Sequence, residues 1–115
     1  MSQPVLIKIY AHFAPVTDDV VRELEDCVSS AICAEDFTGP IVSTLGDMVR
    51  LSFEGIYFPE EEVADIVRRA VEDGASGKMD VLDLENWHMT RYEGKDHVLH
   101  RSGAPLNNVL DFSGF

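Results

Sequence analysis

Apolar residues in this chain recur with two different periods, and the order in which those periods alternate restricts the fold more than any other feature. Val5, Ile7, Ile9 and Ala11 alternate with Leu6, Lys8, Tyr10 and His12. That is the period of a strand with one fully apolar side and one mixed side. Over residues 17–33 the period changes: Val20, Val21, Leu24, Cys27, Val28, Ala31 and Ile32 recur at helical spacing. Thr17 is placed to cap this helix, and Asp18 and Asp19 suit the positive end of its dipole. Phe37-Thr38-Gly39-Pro40 breaks the pattern.

A short strand over 41–45, a turn at Gly46-Asp47 and a strand over 48–58 follow. In the last of these Val49, Leu51 and Phe53 alternate with Arg50, Ser52 and Glu54. Pro59 is expected at the first position of a second helix, whose first turn holds Glu60, Glu61 and Glu62. Its apolar stripe is Val63, Ile66, Val67, Ala70 and Val71, and Gly74 is its stop. Beyond the Gly74–Gly77 stretch, residues 79–92 read as a strand kinked near Asp83-Leu84-Glu85. Glu93-Gly94-Lys95 reads as a turn and 97–101 as a returning strand.

The order is β-α-β-β-α-β with an extra hairpin strand. It predicts an α+β, two-layer, ferredoxin-like sandwich with both helices on one face of an antiparallel sheet. The 115 residues fit one domain spanning 1–115, large enough to need no disulfide or metal staple. Residues 102–115 form a tail too apolar for a free end. Leu106, Val109, Leu110, Phe112 and Phe115 are its interface candidates, expected to dock on the domain or on a partner chain.

Charge divides by layer. The predicted helices carry eleven acids, from Asp18 to Asp73, against Arg22, Arg68 and Arg69, within a net charge of −12. Such a surface repels phosphate backbones, so nucleic-acid binding is disfavoured. An acidic mimic of nucleic acid rests on net charge alone. The sheet is closer to balance. Lys8 and Arg50 alternate away from the apolar side of neighbouring strands and so fall on the open face, with Tyr10, His12, Ser52 and Glu54. Either His88 or the pair Trp87 and Arg91 joins them, depending on where the kink falls. Lys8, Tyr10, His12, Arg50, His88 and Arg91 are therefore the candidate ligand-binding residues, able to hold a small anion by charge-assisted hydrogen bonds.

No catalytic residue is identified. His97 and His100 stand three apart, which sends them to opposite faces of a strand, and no His-Glu-x-x-His, nucleophile elbow, phosphate loop or dinucleotide fingerprint occurs. Neither a metal nor a cofactor is implied. Cys27 and Cys33, six apart in the predicted helix, point in different directions and are expected to be small buried residues rather than a bridge. No run approaches the length of a membrane span, and the N-terminal residues lack a secretory pattern, so a cytoplasmic setting is expected. The leading functional expectation is a small non-catalytic interaction or regulatory module, acting as a homodimer or docking to a larger protein. The alternative is a binder or enzyme for a small anionic metabolite on the open face.

Overall fold

The computed structural model describes residues 5–106. Seven strands and two helices follow in the order β1 (Ile7–Ala14), α1 (Asp18–Val28), β2 (Ile32–Cys33), β3 (Val42–Leu45), β4 (Met48–Tyr57), α2 (Glu60–Glu72), β5 (Ser76–Asp83), β6 (His88–Lys95) and β7 (Val98–Pro105). The strands form one antiparallel sheet in the order β2-β4-β1-β5-β6-β7, with β3 also pairing to β4. The fold is thus α+β. The element order departs from the expected one by the added β2 and by the division of the 79–92 segment into two strands.

The sheet has one buried face because its registers bring the apolar members of every strand into common rows. Ile9 is opposite Phe53 on β4 and Val81 on β5, and Ala11 is opposite Leu51 and Met79. These side chains join Leu24 and Val28 of α1 and Val63, Ile66, Val67 and Val71 of α2 in one core cluster. Ile9, Phe53, Leu24, Val63, Val71 and Met79 are wholly excluded from solvent. Each such side chain contributes about 1.5–3 kcal/mol of burial, which is what orders both helices over this face. Arg69 of α2 also meets Glu23 of α1 at 3.0 Å. On the same helix-covered face Tyr92 donates to Glu60 Oε2 at 2.5 Å, tying β6 to α2. Burial, and then that hydrogen bond, raise the Tyr92 phenol above its ordinary range.

Several local expectations need correction. The first helix does not reach Cys33. It ends at Val28, where the hydroxyls of Ser29 and Ser30 donate to the carbonyls of Asp26 and Cys27 and compete with continued helix. Cys33 consequently lies exposed in β2, while Cys27 stays half-buried in α1. Thr17 does cap α1, its hydroxyl accepting from the Val20 amide at 3.3 Å. Pro59 precedes α2 instead of starting it. The Glu93-Gly94-Lys95 segment is strand, and the chain reverses at Asp96-His97, both with positive φ as a two-residue hairpin turn requires. The His97 ring assists, its Nδ1 lying 2.9 Å from the Glu72 carbonyl oxygen. Strand β7 continues to Pro105, so the expected tail begins later than residue 102. Leu106 is buried and donates its amide to the Trp87 carbonyl at 3.0 Å. Val109, Leu110, Phe112 and Phe115 lie outside the described residues.

The kink expected near Asp83 is a full reversal between β5 and β6. The Asp83 carboxylate accepts from the amides of Glu85 and Asn86 at 3.1 and 3.0 Å and from Asn86 Nδ2 at 2.8 Å. Burial pushes this carboxyl up, but the donors from Asn86 and Glu85, with His88 nearby, outweigh it and hold it below the usual carboxylate range. A carboxyl lowered by folding contributes stability above its unfolded value, near 3.9, and loses it as pH falls through the lower folded value. Asp83→Ala should therefore cost about 1–2 kcal/mol at pH 7. The difference between native and variant should shrink in urea melts as the pH is lowered through 4 toward 2. A constant difference across that range would rule out the charged turn.

Candidate functional site

The same registers that bury one face assemble the other. On the open face Arg50 of β4 is opposite His12 of β1, which is opposite Lys78 of β5. Ser43 of β3 extends this row beyond Arg50, and Glu93 and His100 extend it beyond Lys78. The next row is Ser52, Tyr10, Asp80, Arg91 and Ser102, and the one after it is Glu54, Lys8, Leu82, Met89 and Ala104. Adjacent strands lie about 4.8 Å apart, so Arg50 and Lys78 begin about 10 Å from each other with His12 between them. Their long side chains can converge on one group above the His12 ring.

A groove of about 790 Å³ runs over the first two rows, lined by Tyr10, His12, Ser43, Leu45, Met48, Arg50, Ser52, Lys78 and Asp80. Its size suits a small organic ligand. Asp80 is occupied: Arg91 donates from Nε to Oδ1 at 2.7 Å and from Nη2 to Oδ2 at 3.0 Å. Arg91 is only 6% exposed, and this bidentate pairing, the foremost cause, holds its guanidinium charged. Tyr10 donates to Glu54 Oε2 at 3.3 Å, and Lys8 Nζ lies 3.9 Å from that same oxygen. Burial first, and then the Glu54 carboxylate, raise the Tyr10 phenol, which keeps it a hydrogen-bond donor at neutral pH.

Arg50 and Lys78 differ from this pattern. Lys8, Arg22, Arg68, Arg69 and Arg91 form ion pairs, whereas among the described residues Arg50, Lys78, Lys95 and Arg101 do not, and of these four only Arg50 and Lys78 line the groove. Two cations without carboxylate partners, flanking His12 in one row, give this groove a positive character on a chain of net charge −12. The cleft between α1 and α2 is the reverse, lined by Glu23, Asp26, Glu61, Glu62 and Asp65, and repels anions.

Of the six candidate ligand residues, Tyr10, His12 and Arg50 line the groove. Lys8 and Arg91 share the face but are drawn to Glu54 and Asp80. His88 does not share it: it pairs with Asp83 in the row of Ile7, which packs against the core. The reversal after Asp83 decides this, giving the open face Arg91 in place of His88. Lys78 and the hairpin pair Leu45 and Met48 were not anticipated as site residues. The signal for Lys78 was its position two residues before Asp80, in phase with Arg91 on the paired strand.

Among the described residues no group of three or more histidines, cysteines or carboxylates is arranged to hold a metal ion. No helix is long and apolar enough to cross a membrane among them. Comparison with family models, with curated proteins and with solved structures finds no match to this chain.

Proposed function

We propose that the chain is a non-catalytic binding module that holds an anionic ligand in the open-face groove. The observation that carries the reading is the row Arg50–His12–Lys78, with two cations lacking carboxylate partners and one ring donor on adjacent strands. Hydrogen bonds from charged donors contribute about 1.5–3 kcal/mol each when shielded, and less in an open groove. Arg50→Ala with Lys78→Ala should therefore weaken anion binding at least tenfold. Arg50 is exposed and Lys78 half-buried, so the fold should survive. NMR titration with phosphate, acetate and citrate reads this directly. A native chain that binds none of them, or a double variant that binds as well as native, would sink the proposal.

A second reading is assembly of two copies, or docking to a larger protein. Its support is β7, a sheet edge eight residues long with Val98 49% exposed. Sedimentation velocity on the same samples separates the two: a monomer at every concentration removes self-association and leaves anion binding untouched. The architecture itself we read as a ferredoxin-like sandwich, its strands β5-β1-β4 at the centre, β2 and β3 sharing one edge, and β6 and β7 added at the other. The two free cysteines are in keeping with a cytoplasmic setting, and the acidity with a partner other than nucleic acid.

A further inference from the structure

Resting on that reading, the groove also points to the class of anion. Leu45 and Met48 are cross-strand partners in the β3–β4 hairpin, one step beyond the pair Ser43 and Arg50 on the same face. Both line the groove, and Leu45 is 65% exposed, the most exposed of the large apolar side chains among the described residues. The cationic row thus has an apolar rung along one side and the hydroxyls of Ser52 and Tyr10 along the other. Two residues along a strand span about 6.7 Å, roughly the length of a chain of five or six carbons. An inorganic anion would use the row and leave the rung bare.

We infer that the groove takes an amphipathic organic anion: a carboxylate or phosphate head between Arg50 and Lys78 above His12, and a short apolar body against Leu45 and Met48. Asp80 does not oppose the head, because its oxygens are engaged by Arg91. Head and body bind by different physics and can be separated. Charge-assisted hydrogen bonds fix the head, while the body gains about fourfold per fully buried methylene.

The test is an amide-shift NMR titration of the native chain with acetate, hexanoate and inorganic phosphate. The four extra methylenes of hexanoate lie against one wall and stay open to water on the other. Hexanoate should therefore bind about tenfold more tightly than acetate, well short of the gain for full burial. In Leu45→Ser with Met48→Ser that gap should close to within twofold while acetate and phosphate affinities hold. The single Leu45→Ser variant, at a largely exposed position, should close part of the gap and guards against a folding defect in the double. Equal acetate and hexanoate affinities in the native chain would overturn the inference and leave the anion site standing, as would a gap that survives in the double variant. Absence of binding by all three probes would overturn the anion site as well.

Discussion

Phe53→Ala should remove about 3–5 kcal/mol of stability, the range for emptying a fully enclosed aromatic site. Phe53 sits at the middle of β4 with no solvent exposure, opposite Ile9. Its ring lies 5.1 Å from that of Phe58 and 6.2 Å from that of Phe37, both tilted. Truncation therefore loses transfer energy, leaves a cavity, and removes two ring contacts at once. A domain of this size has about 5–15 kcal/mol in total, so the variant should surrender roughly a fifth or more of it. Urea unfolding is the measurement. The midpoint should fall while the slope stays constant, because the surface exposed on unfolding hardly changes. Phe37→Ala supplies the comparison: Phe37 is half-buried outside the strands, and its loss should cost less than half as much. A Phe53→Ala cost below 1.5 kcal/mol would mean that the helices do not close over β4 at this row.

That core was largely legible in the sequence, because burial on one side of a sheet imposes the period that sequence reading detects. Ile9, Ala11, Leu51 and Phe53 fall on the helix-covered face, as their alternation requires. The stripe of Val63, Ile66, Val67, Ala70 and Val71 is buried along α2. The boundaries were harder to read, and for definite reasons. Helix α1 has no glycine stop, and its end is set by two serines whose hydroxyls compete for backbone carbonyls. Ala31, Ile32 and Cys33 continue the apolar period past that point without continuing the helix. The β5–β6 turn has no Gly or Pro. The Asp83 and Asn86 side chains organise it, and Trp87 takes a positive φ of 54°, which is unusual for a bulky residue.

The site was less legible than the core. Tyr10, His12 and Arg50 follow from alternation alone, since β1 and β4 are long and regular. Lys78 was hidden because Gly74, Ser76 and Gly77 resemble loop chemistry, whereas Ser76, Gly77 and Lys78 are already strand. Arg91 looked like a ligand for an anion until the register placed Asp80 opposite it. Whether a cation is spent within the protein is a question of pairing between strands. No single strand's sequence answers it.

Gly77 is where strand pairing and site meet, and Gly77→Ala carries the second large expected loss. Gly77 stands opposite Phe13 with φ +151°. A Cβ there would come within 1.9 Å of the His12 carbonyl oxygen and 2.9 Å of the Phe13 Cα. Both are backbone atoms of β1, so no rotamer change relieves the contact, and the two strands must part or shear. Backbone strain and overpacking each cost about 1–3 kcal/mol, giving roughly 2–6 kcal/mol together. Gly46→Ala isolates the conformational part. Gly46 also has a positive φ, +62°, but an added Cβ meets nothing within 4 Å, so its cost should stay near 1–2 kcal/mol. If steric approach of β1 to β5 is what demands glycine, Gly77→Ala must exceed Gly46→Ala by at least 1 kcal/mol in urea melts. It should also weaken anion binding, since displacing β5 carries Lys78 away from His12, while Gly46→Ala should alter binding far less. Equal costs for the two variants would refute the close approach. A Gly77→Ala chain that loses stability yet keeps full affinity for anions would separate the groove from the register that is proposed to build it.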